Sequence, residues 1–403
     1  TAVGNSALSA NTTGTGNCAF GNSALQENTT GTGNCAFGYS ALDANTTESN
    51  NTAVGYEALT TTTAGHSLTA VGRSALGANT TGYYNTAVGR DASKDTTTAT
   101  ETTSIGFEAL KTNTTGANNT ALGSKALKAN TTGASNTAVG RNALTAATTA
   151  DYNNSFGARS MEACTTGTRN NCFGYQAGNA ITTANDCVLM GYAAGDAITE
   201  GHYSVCIGTH AGGAATTQEA ITAVGYYAMK NATSAGECTA IGYNTLQALT
   251  TGDQNTAVGN NALYAYTTGS YSTAMGRYAL MLSTTGDSNT AVGSMALYAV
   301  STGGQNTSIG GGAGANITTG SNNTVLGLDA GTSSSPSGNI TTGSNTVCLG
   351  NNSVSDLYCA DTSISSSDER DKTDIEAFNH GLDWITKLEP ITYRWDKRAW
   401  YVD

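Results

Sequence analysis

A glycine that closes four-residue motifs such as TAVG returns along this chain every 17 residues, from Gly4 to Gly327. The next such glycine, Gly350, follows after 23 residues. Self-similarity at a constant period is typical of proteins in which each repeat contacts its neighbours in one fixed geometry. The period therefore constrains the fold more strongly than any single motif does.

The repeat unit is too short for helical repeats, which need about 33–47 residues. Thr, Asn and Gly dominate it, and these residues favour strands, turns and caps over helix interiors. The segment NTAVG predicts a short strand that ends at a glycine corner, and NTTG predicts a turn. We therefore expect two short strands and two corners per unit. Stacked units then form an all-β, parallel β-solenoid of about 21 coils, spaced by ~4.7–4.9 Å.

One exchange between repeat positions indicates a packed interior. Most units carry Leu four residues after the corner glycine, but five units carry Gly there: Gly178, Gly195, Gly212, Gly314 and Gly331. Three residues later, three of these Gly-type units carry Ile where Leu-type units often carry Asn. We expect the same space to be filled from a different point, since protein interiors resist voids.

The core of each coil is expected to be thin. It would consist of Ala, Val, Ala and Leu, and burying one Val or Leu contributes only ~1.5–3 kcal/mol before chain entropy is subtracted. Chains packed side by side or intertwined would bury the Ala-rich strand faces as well. The favoured assembly is a homotrimer, although the sequence alone does not fix the number three.

Composition excludes several classes of function. The formal net charge is −12, which argues against nucleic acid, because that ligand requires basic patches. No apolar run approaches the length of a membrane span, so no membrane insertion is expected. The four histidines are scattered and the nine cysteines lack CxxC-like spacing, so we expect no metal site and no cofactor.

The cysteines and the NTT triplets both have structural interpretations. Cys18 and Cys35 stand at the Thr position of TAVG, whereas Cys172, Cys206 and Cys348 stand at its Ala position. We expect all five to be small buried residues in strands. The NTT triplets match the N-glycosylation pattern, but ladders of Asn and Thr stacked from coil to coil explain them better. Stacked Thr could also form an ice-binding face, which is the less favoured interpretation.

Residues after the corner glycine vary between polar and aromatic types, as expected of an outward ridge. Late coils are rich in tyrosine, and rings on a rod could stack on sugars. An ordinary surface role explains these aromatic residues equally well. The candidate receptor surface consists of Tyr264, Tyr266, Tyr271, Tyr278 and Tyr298.

The organisation of the chain changes near its C-terminal end. We assign residues 1–332 to the repeat shaft, 333–338 to an insertion at an exposed corner, 339–356 to the last coil and 357–366 to a linker. Residues 367–403 hold 15 charged residues in 37, and all three tryptophans. The segment GLDWITKLEP predicts a short helix that ends before proline, and ITYRW predicts a strand.

The tail segment SDERDKTDIEAFNHGLDWITKLEPITYRWD resembles the start of the peptidase S74 domain, the intramolecular chaperone of phage tail spikes and tail fibres. The motif combines Ser-Asp-x-Arg-x-Lys, Gly-Leu-x-x-Ile-x-x-Leu-x-Pro and Tyr-x-Trp in order. The resemblance implies a small α+β segment, the N-terminal part of this chaperone, that drives trimerisation of the fibre before it and then releases itself.

The resemblance also implies where self-release would occur. The cut would fall between Ser366 and Ser367, with Ser367 as nucleophile and Lys372 as its base. Asp368 and Arg370 match the motif and would have supporting roles. No catalysis on other substrates is expected.

The sequence is therefore interpreted as the shaft of a homotrimeric viral attachment fibre, from a phage, exposed on the virion and carrying a surface for a cell-surface glycan or protein receptor. The repeats are also similar to the head repeats of trimeric autotransporter adhesins, so a bacterial surface adhesin is the alternative. A glycan-degrading enzyme is a third class, but the chain offers no paired carboxylates for it.

Overall fold

A computed structural model describes residues 1–217 and 219–356. Residues Thr1–Val354 form one compact unit. Its regular elements are 21 short strands, one in each coil. The strands are β1 (Ala2–Val3), β2 (Cys18–Phe20), β3 (Cys35–Phe37), β4 (Thr52–Val54), β5 (Thr69–Val71), β6 (Thr86–Val88), β7 (Thr103–Ile105), β8 (Thr120–Leu122), β9 (Thr137–Val139), β10 (Asn154–Phe156), β11 (Asn171–Phe173), β12 (Val188–Met190), β13 (Val205–Ile207), β14 (Thr222–Val224), β15 (Thr239–Ile241), β16 (Thr256–Val258), β17 (Thr273–Met275), β18 (Thr290–Val292), β19 (Thr307–Ile309), β20 (Thr324–Leu326) and β21 (Val347–Leu349).

The strands form a single parallel sheet in which each strand pairs with the next one along the chain. The register follows the repeat, so that Ala121 of β8 pairs with Ala138 of β9. The longer coil keeps the same alignment, since Val325 of β20 pairs with Cys348 of β21. The predicted all-β parallel solenoid with 17-residue coils is therefore confirmed.

The prediction of two strands per coil is wrong for the described residues. Where the second strand was expected, residues after the corner glycine form a turn with positive φ at alternate positions, such as Lys125 (φ 61°) and Leu127 (φ 49°). The backbone N–H of Lys125 donates to Phe107 O of the preceding coil, and that of Leu127 donates to Ala143 O of the following coil. Bonds in both directions satisfy the backbone without β geometry.

The corner glycine has the role predicted for it. Gly106 adopts a φ of +137°, a region that L side chains rarely occupy. A Cβ on Gly106 would lie 2.5 Å from Gly123 O of the next coil. Glycine is required at this corner both by the backbone conformation and by the close approach of the next coil.

The core is built from Ala and Leu, and the Val-type residue of TAVG was wrongly assigned to it. In one coil Ala121, Ala126 and Leu127 are fully buried, whereas Leu122 is 44% exposed. The reason is strand alternation, which turns the first and third residues of each strand to the face opposite the second. The strand therefore contributes one small residue to the interior.

The exchange of Leu for Gly is compensated inside the coil, as predicted. A Cβ on Gly178 would lie 2.8 Å from Ile181 Cδ1 and 2.9 Å from Leu189 Cδ1. Both of these side chains are fully buried. The space left by the missing leucine is thus filled by an isoleucine of the same coil and a leucine of the next strand.

Asparagine and threonine form ladders between coils, which confirms the favoured interpretation of the NTT triplets. Asn28 Nδ2 donates to Asn11 Oδ1 (2.8 Å), and Asn45 Nδ2 donates to Asn28 Oδ1 (3.0 Å). Thr114 Oγ1 donates to Thr131 O of the next coil (2.9 Å). Because Asn28 and Asn45 are fully buried, their amides are closed to glycosylation.

A second asparagine ladder, which the sequence interpretation missed, links many of the coils at the position before the TAVG motif. The backbone N–H of Asn34 donates to Asn17 Oδ1 (2.9 Å), and that of Asn51 donates to Asn34 Oδ1 (2.9 Å). Asn34 Nδ2 also donates to Glu48 O (2.7 Å). Each of these side chains links two coils, and the signal for them was the Asn that precedes the TAVG motif.

The six extra residues at 333–338 leave the solenoid interior almost unchanged. Most of them are exposed, but Ser335 is buried and its Oγ lies 3.0 Å from Cys348 Sγ. Ile340 takes the interior place that Ile317 holds in the previous coil. The insertion therefore loops outward while the coil around it keeps its register.

Candidate functional surfaces

The described residues offer surfaces rather than an enclosed active site. Within them, no group of three or more His, Cys, Asp or Glu side chains is arranged to hold a metal ion. Nor does this part of the chain contain a helix of sufficient length and hydropathy to span a bilayer. The repeat places equivalent side chains in outward rows along the described coils.

The outward face of the sheet carries an unbroken apolar row, which we call the strand stripe. Its members are partly exposed, for example Val54 (38%) and Met275 (45%). Neighbouring rings stack along it, with centroids 4.8 Å apart for Phe20–Phe37 and for Phe156–Phe173. The strand stripe consists of Val3, Phe20, Phe37, Val54, Val71, Val88, Ile105, Leu122, Val139, Phe156, Phe173, Met190, Ile207, Val224, Ile241, Val258, Met275, Val292, Ile309, Leu326 and Leu349.

The five strand cysteines divide between the two faces of the sheet. Cys172, Cys206 and Cys348 are buried as predicted, and burial raises the pKa of the Cys206 thiol far above its ordinary value. Cys18 and Cys35 were wrongly predicted to be buried, because the first strand residue points outward beside the strand stripe. Both residues are half-buried, and they are direct partners in the pairing of β2 with β3.

The five late tyrosines do not form one surface. Tyr271 is 63% exposed, whereas Tyr264, Tyr278 and Tyr298 are half-buried. Tyr264 and Tyr298 occupy the same repeat position two coils apart, and Tyr271 and Tyr278 occupy two others. The structure therefore scatters the side chains that were grouped as a receptor surface.

Tyr266 must be removed from that surface altogether, because it is fully buried. Its ring stands at the interior position that Asn holds in the early coils. The Tyr266 hydroxyl lies 2.9 Å from Ser272 Oγ and donates to Gly286 O at 2.8 Å. Burial raises the pKa of Tyr266 to about 12.

Tyrosines that follow the corner glycine stack on one another along the rod. Ring centroids are 5.3 Å apart for Tyr39–Tyr56, 5.6 Å for Tyr175–Tyr192 and 5.4 Å for Tyr226–Tyr243. The interplanar angles are 16° or less. Because the ring faces contact each other, these pairs present mainly ring edges and hydroxyl groups to solvent.

Basic residues concentrate on the outward side of the turn segment in six consecutive coils, which we call the basic strip. It spans the segments 73–78, 90–95, 107–112, 124–129, 141–146 and 158–163. Its basic residues are Arg73, Arg90, Lys94, Lys111, Lys125, Lys128, Arg141 and Arg159. Its acidic residues are Asp91, Asp95, Glu108 and Glu162.

Ion pairs join members of the basic strip both within one coil and between coils. Glu108 lies between two lysines, with Lys111 Nζ 3.0 Å from Oε1 and Lys128 Nζ 2.8 Å from Oε2. Hydrogen bonds from Lys128 and Lys111 lower the pKa of Glu108 to about 2. Arg159 is similarly paired with Glu162.

A recess of about 350 Å³ lies on the other turn of the later coils. It opens where Gly236 lacks a side chain, and the carboxylates of Glu219, Glu237 and Asp253 surround it together with Tyr271. Asp253 Oδ1 already accepts the Gly236 N–H (2.8 Å), and Glu237 accepts a hydrogen bond from Gln254. Two of the three carboxylates are thus engaged within the protein.

The predicted self-cleavage residues lie outside the described residues. This applies to the bond between Ser366 and Ser367, to Lys372, and to Asp368 and Arg370. Their geometry therefore adds nothing to the roles that the sequence resemblance implies.

Comparison with known proteins identifies the tail. The family model described as Peptidase_S74, chaperone of endosialidase, matches residues 367–400. A search of curated proteins found no match for the chain. The match confirms the resemblance at the C-terminal end. Together with a solenoid of 17-residue coils, it gives the chain an organisation similar to that of phage tail-fibre or tail-spike proteins.

Proposed function

We propose that this chain is the shaft of a homotrimeric viral attachment fibre, carried on a phage virion outside the cell, and that it presents a surface for a host receptor. The observation that carries the proposal is the S74 chaperone segment at residues 367–400, which follows an uninterrupted stack of parallel coils. An intramolecular chaperone is useful where a long chain must find its register with two identical partners.

The solenoid supports a mechanical role. Each coil is tied to the next by strand pairing and by turn hydrogen bonds such as Leu127 N–H to Ala143 O, and many coils are also joined by the asparagine ladders. At ~4.7–4.9 Å per coil, 21 coils extend over roughly 100 Å. Such a stack resists bending because any bend must open contacts repeated at every step.

The strand stripe supports side-by-side assembly through the sheet face. Twenty-one partly exposed apolar side chains present on the order of 1,000 Å² of continuous apolar surface, more than soluble monomers usually expose. That area is also comparable to what each partner contributes to a stable interface. In this arrangement Val, Ile, Phe, Leu and Met of three chains meet. The Ala residues that were expected to do so are already buried inside each chain.

Self-release would follow assembly. Ser367 Oγ attacks the carbonyl carbon of Ser366 while Lys372 accepts the hydroxyl proton and passes it to the departing amide nitrogen. Water then hydrolyses the resulting ester, which leaves a carboxylate on Ser366 and a free amino group and hydroxyl on Ser367. The chaperone segment is expected to act once and then to separate from the shaft.

Light scattering and mass spectrometry of the full chain test the assembly. The parent should be a trimer, and Ser367→Ala should lengthen the shaft polypeptide by blocking cleavage. The double variant Ile105→Lys, Leu122→Lys should weaken the trimer, since it charges the strand stripe. The matched variant Thr98→Lys, Thr115→Lys charges an exposed turn instead and should remain a trimer.

Alkylation of Cys18 and Cys35 provides an independent reporter, because these thiols lie beside the strand stripe. They should react slowly in the parent and faster in the Ile105→Lys, Leu122→Lys variant. A parent that is monomeric at all concentrations, and that does not adsorb to any of a panel of bacterial cells, would contradict the proposed function.

A further inference from the structure

We propose that the basic strip binds a polyanionic polysaccharide of the cell surface, with the polymer lying along the rod axis. This inference rests on the proposed attachment function and names the chemistry of the receptor. It starts from a local reversal of charge. The strip holds eight basic and four acidic residues, a net charge of +4, in a chain whose formal net charge is −12.

The reversal is confined to these six coils. Only three other Lys or Arg residues, Arg169, Lys230 and Arg277, occur among the described residues. The position that follows the corner glycine holds Tyr39 and Tyr56 in the two coils before the strip. In the two coils after it, the same position holds tyrosine again. Solubility alone does not require that most of the Lys and Arg residues lie on one face of six consecutive coils.

Half of the basic side chains are free to meet a ligand. Among the described residues, Arg73, Lys94, Lys125 and Arg141 have no ion-pair partner, and the two arginines are exposed. The other four are paired with acids of the strip itself. The paired residues hold the surface in shape, and the unpaired residues leave the positive charge that an anionic polymer would neutralise.

The spacing of the charges favours a polysaccharide over duplex nucleic acid. Successive coils are ~4.8 Å apart, so four unpaired cations are spread over roughly 20 Å. Duplex DNA carries one charge per ~1.7 Å and is bound by denser clusters of Lys and Arg. A polymer with about one carboxylate or phosphate per sugar matches the sparser strip.

Polar groups beside the cations suit sugar hydroxyls. A recess of about 190 Å³ opens at one end of the strip, where Gly77 lacks a side chain. Its lining includes Thr60, Ser74 and Lys94. The carboxylates of Glu57 and Asp95 also line it and could accept hydrogen bonds from sugar hydroxyls. The hydroxyls and the two carboxylates suit the hydroxyl groups of a sugar ring, while the anionic substituents of the polymer would meet the unpaired cations Arg73, Lys125 and Arg141 along the strip.

Binding of the full chain to defined polymers tests the proposal. The probes are polygalacturonate, which supplies carboxylates, a ribitol-phosphate teichoic acid, which supplies phosphodiesters, neutral dextran, and duplex DNA. The strip variant is Arg73→Gln, Lys94→Gln, Arg141→Gln. The matched control is Arg169→Gln, Lys230→Gln, Arg277→Gln, which removes the same charge outside the strip.

We expect Kd for polygalacturonate or teichoic acid to rise at least about tenfold in the strip variant and to stay unchanged in the control. With about four cations neutralised, affinity should also fall steeply with salt, with a log–log slope of about −3. The polymer that binds more tightly identifies the anion as carboxylate or phosphate. Equal loss in both variants, equal binding of dextran, or tighter binding of duplex DNA would overturn the proposal.

Adsorption to cells separates this inference from the proposed function. If the parent adsorbs to cells and the strip variant adsorbs equally well, the attachment function stands and the strip is not the receptor site. If the parent adsorbs to no cells but the strip variant alone loses polyanion binding, the strip is a polyanion site and the attachment function is wrong.

Discussion

Ser93 Oγ donates a hydrogen bond to Ser104 Oγ (2.8 Å) in the middle of the solenoid interior, where both residues are fully buried. The corresponding positions of neighbouring coils hold Leu110 and Ala121. This polar pair interrupts the core. One apolar cluster ends at Ala92 and the next begins at Ala109.

Replacing the pair should join the two clusters. Ser93→Leu with Ser104→Ala restores the residues of neighbouring coils, and Ser93 already has the positive φ that Leu127 adopts. We expect the free energy of unfolding to rise by about 1–3 kcal/mol through added apolar burial. Hydrogen exchange on either side of residue 93 should become equally slow. Ser93→Ala alone removes one partner and should cost about 1 kcal/mol. A less stable double variant would contradict the interpretation.

Asn113 and Asn130 stack at the same repeat position as Asn28, and this pair ends with an unused acceptor. Asn130 Nδ2 donates to Asn113 Oδ1 (2.7 Å), but Asn130 Oδ1 has no partner because the next coil carries Ala147. Ala147→Asn should supply that donor and raise the free energy of unfolding by about 1 kcal/mol, measured by urea denaturation. Ala232→Asn is the control. It has no asparagine in the preceding coil, so it should destabilise the protein by about 1–3 kcal/mol.

Gly178 marks a site where the usual leucine should be harmful. Its φ of 58° is close to that of the leucines at this position, so the backbone would accept Leu. The side chain would, however, overlap Ile181 and Leu189. We expect Gly178→Leu to lower the free energy of unfolding by about 1–3 kcal/mol through overpacking. Adding Ile181→Ala and Leu189→Ala recreates a Leu-type coil and should recover most of the loss. If the triple variant recovers nothing, compensation is not the cause.

Acid should weaken the ion pairs of the basic strip. The pKa of Glu108 is lowered to about 2 in the folded chain, from an ordinary value of 4.5. The stabilisation is therefore complete above about pH 4.5 and is lost as the pH falls toward 2. Because the pair lies near solvent, we expect at most about 1 kcal/mol. The stability difference between parent and Glu108→Gln should vanish near pH 2. Glu101→Gln is the matched control, since Glu101 is an exposed acid without an ion pair among the described residues.

The period of the sequence predicted the architecture because one repeated glycine corner and one strand set the geometry of every coil. The alternation of positive φ between Lys125 and Leu127 was not predictable, since Leu rarely adopts that conformation and carries no signal for it. The sequence also did not show which TAVG side chains face the interior. The structure shows that the Ala-type residue points inward and the Val-type residue points outward.

The functional surfaces were predicted less well, because residues that are close in the sequence were assumed to share a surface. Tyr266 looked like its neighbours in a tyrosine-rich stretch, and only the repeat position that it shares with Asn130 shows that it is interior. The basic strip could have been found by aligning the repeats and summing charge at each outward position. Proximity along the chain is a poor guide to proximity on a surface that repeats every 17 residues.

The longer coil between Gly327 and Gly350 shows that register survives a change in coil length, because the extra residues leave the stack and β20 still pairs with β21. Deletion or duplication of whole repeats should be accepted even more readily. Each such change would shorten or lengthen the stack by whole coils of about 4.8 Å. The length of the stack can therefore change in fixed steps while its cross-section stays constant.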